Sequence, residues 1–402
     1  MKLKSPLTLL LTCICFAGFA QEEEKEKSLE IYGFVMTDIG YNFNQIHPDW
    51  FDVIRATKLP KFKNEYGTDG NAYFSVRQTM LGVKGYHNTP LGELKTLLEF
   101  ELFGTGVDAG QTTLRLRHAY GELGKIGVGQ YWSPFMDIDV FPNTVEYWGP
   151  PGMAFFRNVQ IRYMPIQGET KLTIALEQPG ASADQGDYED RIELQNVKPR
   201  FRLPDLSAEY RFARSWGYVE LAGILRKIEW VDQNNNPSFD LSDETLGWGL
   251  NLSTNLNLTR NTIFRGSFIY GEGVQNYMND APADVGVKPN PGDPKKPVLG
   301  VALPLTGVSA FVDHDWSSKF ASSIGYSFID IENTEGATDD AFKHGDYAII
   351  NLSYMPVERV KAVIELQYGK RTNFADDFTS DILKLQFSFK YNFSHMFYKK
   401  SK

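Results

Sequence analysis

Cysteine and long apolar segments are scarce in this 402-residue sequence, and basic residues are fewer than acidic ones. Its two cysteines, Cys13 and Cys15, lie within the first 20 residues, so neither a disulfide framework nor a thiolate metal site is expected in the rest of the chain. Lysine and arginine total 41 against 50 acidic residues, which argues against a nucleic-acid-binding surface. A mean hydropathy of -0.33, without a long apolar run after the N-terminus, excludes a bundle of membrane-spanning helices.

Sequence motifs for metal binding and covalent catalysis are missing as well. The histidines occur singly, without ligand spacing, as His47, His87, His118, His314, His344 and His395. No glycine-flanked serine of a nucleophile elbow occurs. We therefore predict no cofactor, no metal and no catalytic residue, and we interpret the histidines as surface or interface residues.

The first 20 residues have the composition of a signal peptide. Lys2 and Lys4 precede an apolar stretch over residues 7–19, and small residues stand just before Gln21. We predict that cleavage there gives an exported chain. Residues 21–28 are charged and have nothing to bury, so they are expected to form a short periplasmic tail.

The sequence does contain segments in which apolar and polar residues alternate strictly, most clearly near its C-terminal end. Apolar residues take every second position as Leu383, Leu385, Phe387, Phe389, Tyr391 and Phe393, and polar residues take the positions between them as Lys384, Gln386, Ser388, Lys390 and Asn392. This pattern predicts a β-strand with one apolar face, long enough to cross a bilayer at a tilt. A strand of a soluble sandwich also alternates but is usually shorter.

About sixteen such strands are predicted, and their connections alternate between short ones, such as residues 214–217, and long ones, such as residues 133–157 and 271–304. Short turns on one rim and long loops on the other are typical of an outer-membrane barrel with both termini in the periplasm. A Greek-key sandwich would mix the two lengths. We predict an all-β, transmembrane antiparallel β-barrel of about 16 strands over residues 29–393, with a C-terminal tail over residues 394–402.

Four segments in the first half of the mature chain carry a more specific signal. They read Tyr-Phe-Ser-Val-Arg-Gln-Thr-Met-Leu-Gly-Val-Lys-Gly at 73–85, Leu-Gly-Glu-Leu-Lys at 91–95, Leu-Arg-Leu-Arg-His-Ala-Tyr-Gly-Glu-Leu at 114–123 and Val-Gly-Gln-Tyr-Trp-Ser-Pro-Phe at 128–135. Together they resemble the DcaP-like family of trimeric outer-membrane porins, and the Leu-Gly-Val-Lys-Gly hairpin also resembles general bacterial porins. One departure is Met80, which stands where porins commonly carry a pore-lining arginine.

The resemblance implies a bacterial outer-membrane homotrimer of sixteen-stranded barrels, surrounded by lipid, that passes small and often anionic solutes. It also implies that the third long loop, residues 133–155 here, folds into the lumen. Rigid and aromatic residues suit a packed loop, namely Pro134, Pro142, Pro150, Pro151, Phe135, Phe141, Tyr147, Trp148 and Phe155. The alternative is an external loop at a trimer contact.

Successive residues of a barrel strand face the lipid and the lumen in turn, and this alternation assigns several charged residues to the lumen. Leu114, Leu116 and Tyr120 are expected on the lipid face, which directs Arg115 and Arg117 inward. The further pore-lining candidates are Arg162, Arg77, Arg265, Glu99 and Glu101. Among these, Arg77 faces the lumen only if a bulge intervenes, because Leu81 and Val83 share its face.

Two roles stay open for these arginines. Neighbouring spacing is expected to gather Arg115, Arg117 and Arg162 into a cluster that binds passing carboxylates. Alternatively, the glutamates on the third strand pair with them across strands. The acidic loop residues Asp137, Asp139 and Glu146 are expected to face this basic wall and to create a transverse field.

These observations predict a channel for passive uptake of small hydrophilic, anionic, dicarboxylate-like solutes rather than an enzyme. A hydrolase embedded in the barrel and a receptor or adhesin without a channel are the alternatives. Turnover of phospholipid or peptide would distinguish the hydrolase.

Overall fold

The computed structural model describes residues 27–234 and 238–399, which form one closed antiparallel β-barrel. The predicted signal peptide, residues 1–20, and residues 21–26 of the predicted tail lie outside the described residues. Within the described part, no helix is long and apolar enough to span a membrane.

Twenty strands occupy the described chain, of which eighteen make up the barrel sheet and two form a hairpin within a loop. In chain order they are β1 (Lys27–Asn42), β2 (Asn71–Ser75), β3 (Met80–Thr89), β4 (Gly92–Phe103), β5 (Thr112–Leu123), β6 (Ile126–Trp132), β7 (Arg157–Ile166), β8 (Lys171–Glu177), β9 (Val197–Pro199), β10 (Asp205–Arg214), β11 (Gly217–Asp232), β12 (Asp243–Thr259), β13 (Thr262–Glu272), β14 (Val285–Pro289), β15 (Val298–Ala302), β16 (Pro304–Asp315), β17 (Phe320–Ile331), β18 (Phe342–Tyr354), β19 (Val360–Asn373) and β20 (Thr379–Lys399). Short 3-10 helices lie in the connections, at Pro48–Trp50, Ala56–Lys58, Gly106–Asp108, Ile138–Val140, Gly186–Tyr188, Ile192–Leu194 and Gln275–Tyr277.

The wall of the barrel has sixteen strand positions. Segments β2 and β3 share one position, because both pair with β1, and β9 and β10 share another, because both pair with β11. Segments β14 and β15 pair with each other as a hairpin outside the barrel sheet. Every pairing between named strands is antiparallel, so the predicted all-β barrel of about sixteen strands is confirmed.

The first and last strands close the barrel. Strand β1 pairs with β20 from Lys27 opposite Lys399 to Asn42 opposite Lys384. Each strand provides hydrogen-bond partners for the backbone groups along the edge of the other. Both strands therefore extend further than expected. Residues 394–399 belong to the wall and not to the predicted C-terminal tail, and the first two described residues likewise belong to β1 rather than to the N-terminal tail.

The faces of the last strand follow the predicted alternation. Phe387 and Phe389 are 41% and 42% exposed on the outside of the barrel, whereas Lys384, Gln386 and Ser388 are buried on the inside. A strand with an apolar outer face and a polar inner face is what a lipid-exposed barrel around an aqueous lumen requires.

Short turns and long loops lie on opposite rims. The rim with the chain ends has turns such as residues 215–216 and 260–261. The other rim carries the first long loop (residues 43–70), the inner loop (residues 133–156) and the sixth long loop (residues 273–303). This arrangement confirms the predicted alternation of connection lengths.

Loop residues fill part of the lumen with an apolar core. Phe135 of the inner loop packs with Tyr277 and Met278 of the sixth long loop and with Leu305 and Ile329 on the inner wall. All five are between 0% and 5% exposed. The long loops are therefore folded into the barrel and brace one another.

A bulge in β5 changes which residues face the lumen. Glu99 lies opposite His118, whereas Phe100 lies opposite Leu116, so Arg117 is an extra residue on β5. The bulge reverses the parity of the strand, and Tyr120 is 9% exposed with its ring 4.5 Å from that of Tyr131. The expected lipid-facing position of Tyr120 is therefore wrong.

The lipid face of β20 gives a stability prediction. Phe387→Arg places a charge among outward apolar residues near the bilayer midplane, which should lower the free energy of unfolding by about 2–4 kcal/mol. Denaturant unfolding in lipid vesicles measures the change, with Phe387→Leu as the matched control. Equal stability of the two variants would mean that Phe387 does not face lipid.

Candidate channel constriction

The start of the inner loop is anchored to three neighbouring strands. Arg211 of β10 donates to Asp137 at 2.6 Å, and Tyr218 of β11 and Ser253 of β12 each donate to the same carboxylate at 2.7 Å. The Asp137 carboxylate is buried by these contacts. Charge-assisted bonds of this kind hold the loop inside the lumen.

The middle of the inner loop is fixed to β19. Glu365 accepts hydrogen bonds from the backbone amides of Val145 and Glu146, both at 2.9 Å. The Glu146 carboxylate accepts from the amide of Ile54 at 2.8 Å and from that of Gly149. The loop therefore crosses the lumen from β10 to β19, which confirms its predicted inward fold against the external alternative.

The acidic residues of the inner loop do not face the predicted arginines. Asp137 and Asp139 bind Arg211, the latter at 2.5 Å, and Glu146 binds backbone amides in a buried position. Tyr147 is the loop residue that reaches the predicted arginines. The expected pairing of loop acids with that basic wall is wrong, because β10 supplies a guanidinium that the strand pattern did not single out.

Arg115 and Arg117 point into the lumen, as predicted, and share two glutamates of β4. Arg115 Nε donates to Glu101 at 2.8 Å, Arg117 Nε donates to Glu99 at 2.5 Å, and Arg117 Nη1 donates to Glu101. The Tyr147 hydroxyl lies 2.5 Å from both Glu101 and Arg115. The cross-strand ion pairing that the sequence left open is present.

A third guanidinium joins this group from β7. Arg157 Nη2 lies 3.5 Å from Glu101, and its guanidinium carbon lies 5.3 Å and 5.5 Å from the ring centres of Trp132 and Phe155. We call Arg115, Arg117 and Arg157 the arginine cluster. Its three positive charges outnumber the two negative charges of Glu99 and Glu101.

Arg162 faces inward but binds outside the arginine cluster. It donates to Gln160 at 3.0 Å and to the carbonyl of Trp132, and its guanidinium carbon lies 4.8 Å and 5.7 Å from the ring centres of Tyr131 and Tyr120. The expected gathering of Arg162 with the other arginines is wrong. The bulge in β5 turns Tyr120 inward at this level, and that ring occupies the space beside Arg162.

Arg77 and Arg265 occupy different surroundings. Arg77 lies in the break between β2 and β3, is 1% exposed and pairs with Asp52 at 2.8 Å, so it faces inward but is covered by the first long loop. Arg265 pairs with Asp313 at 2.6 Å and donates to the carbonyl of Asp139. The structure thus places Arg265 beside the inner loop and buries Arg77.

A further arginine reaches the lumen from the first long loop. Arg55 lies between two indoles, 4.3 Å from the ring centre of Trp50 and 4.1 Å from that of Trp148. Its Nη2 pairs with Asp280 at 2.9 Å. The cation-π contacts fix the direction of the guanidinium. Neither alternation nor spacing in the sequence singled out this residue.

These side chains surround a cavity of ≈ 400 Å³. Its lining residues are Arg55, Thr105, Arg115, Leu116, Gln130, Tyr147, Trp148, Phe155, Phe156, Arg157, Gln275, Asn276, Met278, Asn279 and Ala281. Guanidiniums bind carboxylates in a bidentate manner, and aromatic walls accept a carbon skeleton. The cavity is chemically suited to a small organic anion.

Metal ligands are not grouped in the part of the chain that the structure describes. There, no group of three or more histidine, cysteine, aspartate or glutamate side chains could hold a metal ion. The acidic groups of the lumen instead bind arginine or lysine side chains, as Glu101 does, or neutral hydrogen-bond donors, as Glu146 does.

Comparison with known proteins identifies both a family and similar folds. The model of the DcaP outer membrane protein family matches residues 23–393. The outer membrane channel DcaP of Acinetobacter baumannii has a TM-score of 0.73 and 20% identity, covering 94% of this chain and 100% of that one. No curated relative matches the sequence.

Two further solved structures share the fold at lower similarity. The trimer form of in-vitro folded OmpT from Vibrio cholerae has a TM-score of 0.54 and 11% identity, covering 91% of this chain and 99% of that one. An anion-selective porin from Comamonas acidovorans has a TM-score of 0.57 and 11% identity, covering 92% and 100%. The family, the DcaP channel and OmpT are described as outer-membrane proteins, and the third structure is described as a porin.

Proposed function

Because the chain belongs to the DcaP outer membrane protein family, we propose that it is a passive channel for small hydrophilic anions, with dicarboxylates as the preferred class. The family places the chain in the bacterial outer membrane. The choice of anions rests on the charges inside this particular lumen.

The observation that carries the proposal is the cavity beside the inner loop. Arg55, Arg115 and Arg157 line it together, and each presents a planar fork of donors that fits a carboxylate. Guanidiniums on separate elements can bind two carboxylates of one solute. Tyr147 and Trp148 supply an apolar wall for the carbon chain between them.

The glutamates of β4 keep such binding weak enough for transport. Glu99 and Glu101 already occupy part of the donor capacity of the arginine cluster. An incoming carboxylate must compete with them, which limits its affinity. Conduction requires this balance, because a solute that is held too tightly blocks the channel.

The named properties of two similar structures agree with the proposal. The porin of Comamonas acidovorans is anion-selective, and OmpT of Vibrio cholerae occurs as a trimer. We propose that this chain likewise assembles as a homotrimer in outer-membrane lipid. The similarity of fold supports these two properties, and the arginine cluster supports the first.

Planar bilayer recordings on the purified protein test the function. The reversal potential under a salt gradient should show anion preference, and succinate should block the current at lower concentration than acetate or neutral succinamide. Cation preference without block by succinate would overturn the proposal. Turnover of phospholipid or peptide by the same preparation would favour a hydrolase instead.

A further inference from the structure

Two lysines lie opposite each other on the inner wall of the barrel. Lys361 of β19 pairs directly with Lys390 of β20. Both face the lumen, because Val363 and Ser388, the next residues on the same faces, are buried on the inside. Directly opposite positions bring the two Cβ atoms to about 4.5–5.5 Å, where like charges repel. We call Lys361 and Lys390 the lysine pair.

Most hydrogen-bond donors of the lysine pair are unused. Lys361 donates to the side-chain oxygen of Asn143, in the inner loop, at 2.6 Å. The Nζ of Lys390 lies 3.7 Å from the ring centre of Phe34 and has no hydrogen-bond or ion-pair partner among the described residues. Each ammonium group has three donors, and both side chains are half-buried rather than covered. The remaining donors are therefore available to water or to a solute.

The carboxylates whose charges attract the lysine pair are bound by other groups. For Lys361 they are Glu365 and Asp313, and for Lys390 the carboxylate is Asp38. Glu365 accepts from the amides of the inner loop, Asp313 pairs with an arginine of β13 at 2.6 Å, and Asp38 accepts from a serine of β20 at 2.5 Å. These charges reduce the repulsion between the lysines, but their oxygens leave the ammonium donors free.

The lysine pair and the solute cavity lie on opposite sides of the inner loop. Val145 of that loop packs against Val363 of β19. Lys361 is nearer to the turn at residues 355–359, on the rim with the chain ends. The cavity is instead lined by residues of the long loops, such as Arg55. A solute that crosses from the cavity to the rim with the chain ends therefore passes the lysine pair after the inner loop.

The arginine cluster and the lysine pair differ in what they recognise. Arg117 is close enough for its charge to repel that of Lys390, so the two groups form one continuous basic path. A guanidinium offers a planar fork, whereas an ammonium group is a compact and strongly hydrated point charge. The lysine pair should therefore bind a single carboxylate briefly and without selecting the rest of the solute.

We propose that the lysine pair is a second anion-binding site, which receives a carboxylate of the solute as it passes the inner loop. The inference rests on the proposed anion channel and adds a second step to transport. Two anion sites in series favour release, because an anion that enters the cavity repels the one held at the lysine pair.

Acylation of the unmodified protein in lipid vesicles tests the site directly. The reagent is a small N-hydroxysuccinimide ester, and mass spectrometry measures its reaction with each lysine. A bound carboxylate stabilises the charged ammonium form, which does not react, so succinate and acetate should each slow acylation of Lys361 and Lys390 about tenfold. Lys319, exposed in a turn on the same rim, should react at an unchanged rate. Neutral succinamide should protect none of them.

Equal acylation of the lysine pair with and without succinate would overturn the proposal. Protection of Lys319 to the same extent would also overturn it, because the effect would then be one of general ionic strength.

A charge-removing variant tests what the lysine pair contributes to conduction. Lys361→Gln with Lys390→Gln should not destabilise the barrel, since it relieves a like-charge repulsion. Single-channel conductance should fall by about half or more at about 0.01 M salt, where the lysines concentrate anions, and change little at about 1 M salt. Lys319→Gln is the matched control and should keep the conductance of the unmodified channel.

The same recordings keep this inference separate from the proposed function. Cation preference in the unmodified channel would reject the function itself. Anion preference in the unmodified channel, with equal low-salt conductance in the double variant, would reject the lysine pair as a site and leave the proposed function intact.

Discussion

Replacing both Arg115 and Arg157 with glutamine should convert an anion-preferring channel into a cation-preferring one. The double variant removes two positive charges from the arginine cluster and leaves Arg117 to balance Glu99 and Glu101. A charge at about 4 Å contributes about 4 kcal/mol at an effective dielectric of 20, before salt screening. The reversal potential should change sign, and the concentration of succinate that halves the current should rise at least about tenfold, or about 1.4 kcal/mol.

Arg117 is deliberately kept in this variant. Its guanidinium binds both glutamates, at 2.5 Å from Glu99 for Nε, and its removal together with Arg115 and Arg157 would leave these buried carboxylates without a cationic partner. With Arg117 present, the barrel should fold normally. Heat-modifiable migration in gels checks this before any recording.

Two controls are needed. One distinguishes the charge of the two arginines from the geometry of their guanidiniums, and the other tests whether the loss of any arginine has the same effect. Arg115→Lys with Arg157→Lys keeps the charge but loses the bidentate fork, so anion preference should persist while succinate block weakens. Arg202→Gln removes an exposed arginine paired with Glu229 and should change neither quantity. If the double glutamine variant kept the reversal potential and block of the unmodified channel, the arginine cluster would be a structural ion-pair group and selectivity would arise elsewhere.

Strand parity was sufficient to predict the wall of the barrel. In β20 every second residue from Leu383 is outward, because one-sided burial against lipid leaves no freedom of register. Connection lengths predicted which rim carries the loops. The same logic placed Arg115 in the lumen, since the residues on either side of it are leucines on the outer face of the barrel.

At two places a local irregularity puts a residue on the face opposite to the one that alternation assigns. A bulge at Arg117 reverses the parity of β5, so Tyr120 lies inside although alternation assigns it to lipid. The break between β2 and β3 turns Arg77 inward against the parity of Leu81. Bulges depend on how two strands pair, and a single strand's pattern does not record them.

The composition of the cavity depends on contacts between distant parts of the chain. Arg55 arrives from the first long loop and is oriented by Trp148 of the inner loop, and Arg157 begins β7 at the end of that loop. Neither position belongs to a periodic pattern, because loops follow the lumen wall and not a repeat. The paired tryptophans of these loops were the available signal, as indoles inside a polar lumen need cationic or apolar partners.

Glu365→Ala should release the inner loop from the wall and open the channel. The Glu365 carboxylate is fully buried and accepts four hydrogen bonds, from the amides of Val145 and Glu146 and from the side chains of Asn351 and Gln367, at 2.7–2.9 Å. Each donor left unpaired costs about 1–3 kcal/mol, so the loop should exchange its wall contacts for water rather than keep its position. Single-channel conductance should rise, and neutral sugars that are excluded from the unmodified channel should enter liposomes that contain the variant.

The position of the loop, rather than the loss of a buried acid, should cause this change. Glu209→Ala is the matched control, because Glu209 is also a buried lumen glutamate but bonds Lys171 of the neighbouring strand and not the inner loop. Glu365→Gln keeps one acceptor oxygen and should give an intermediate conductance. Protease cleavage within residues 133–156 should accelerate only in the Glu365 variants, because cleavage requires the loop to leave the wall. Unchanged conductance together with unchanged cleavage in Glu365→Ala would show that the contacts at Asp137 and in the apolar core hold the loop without Glu365.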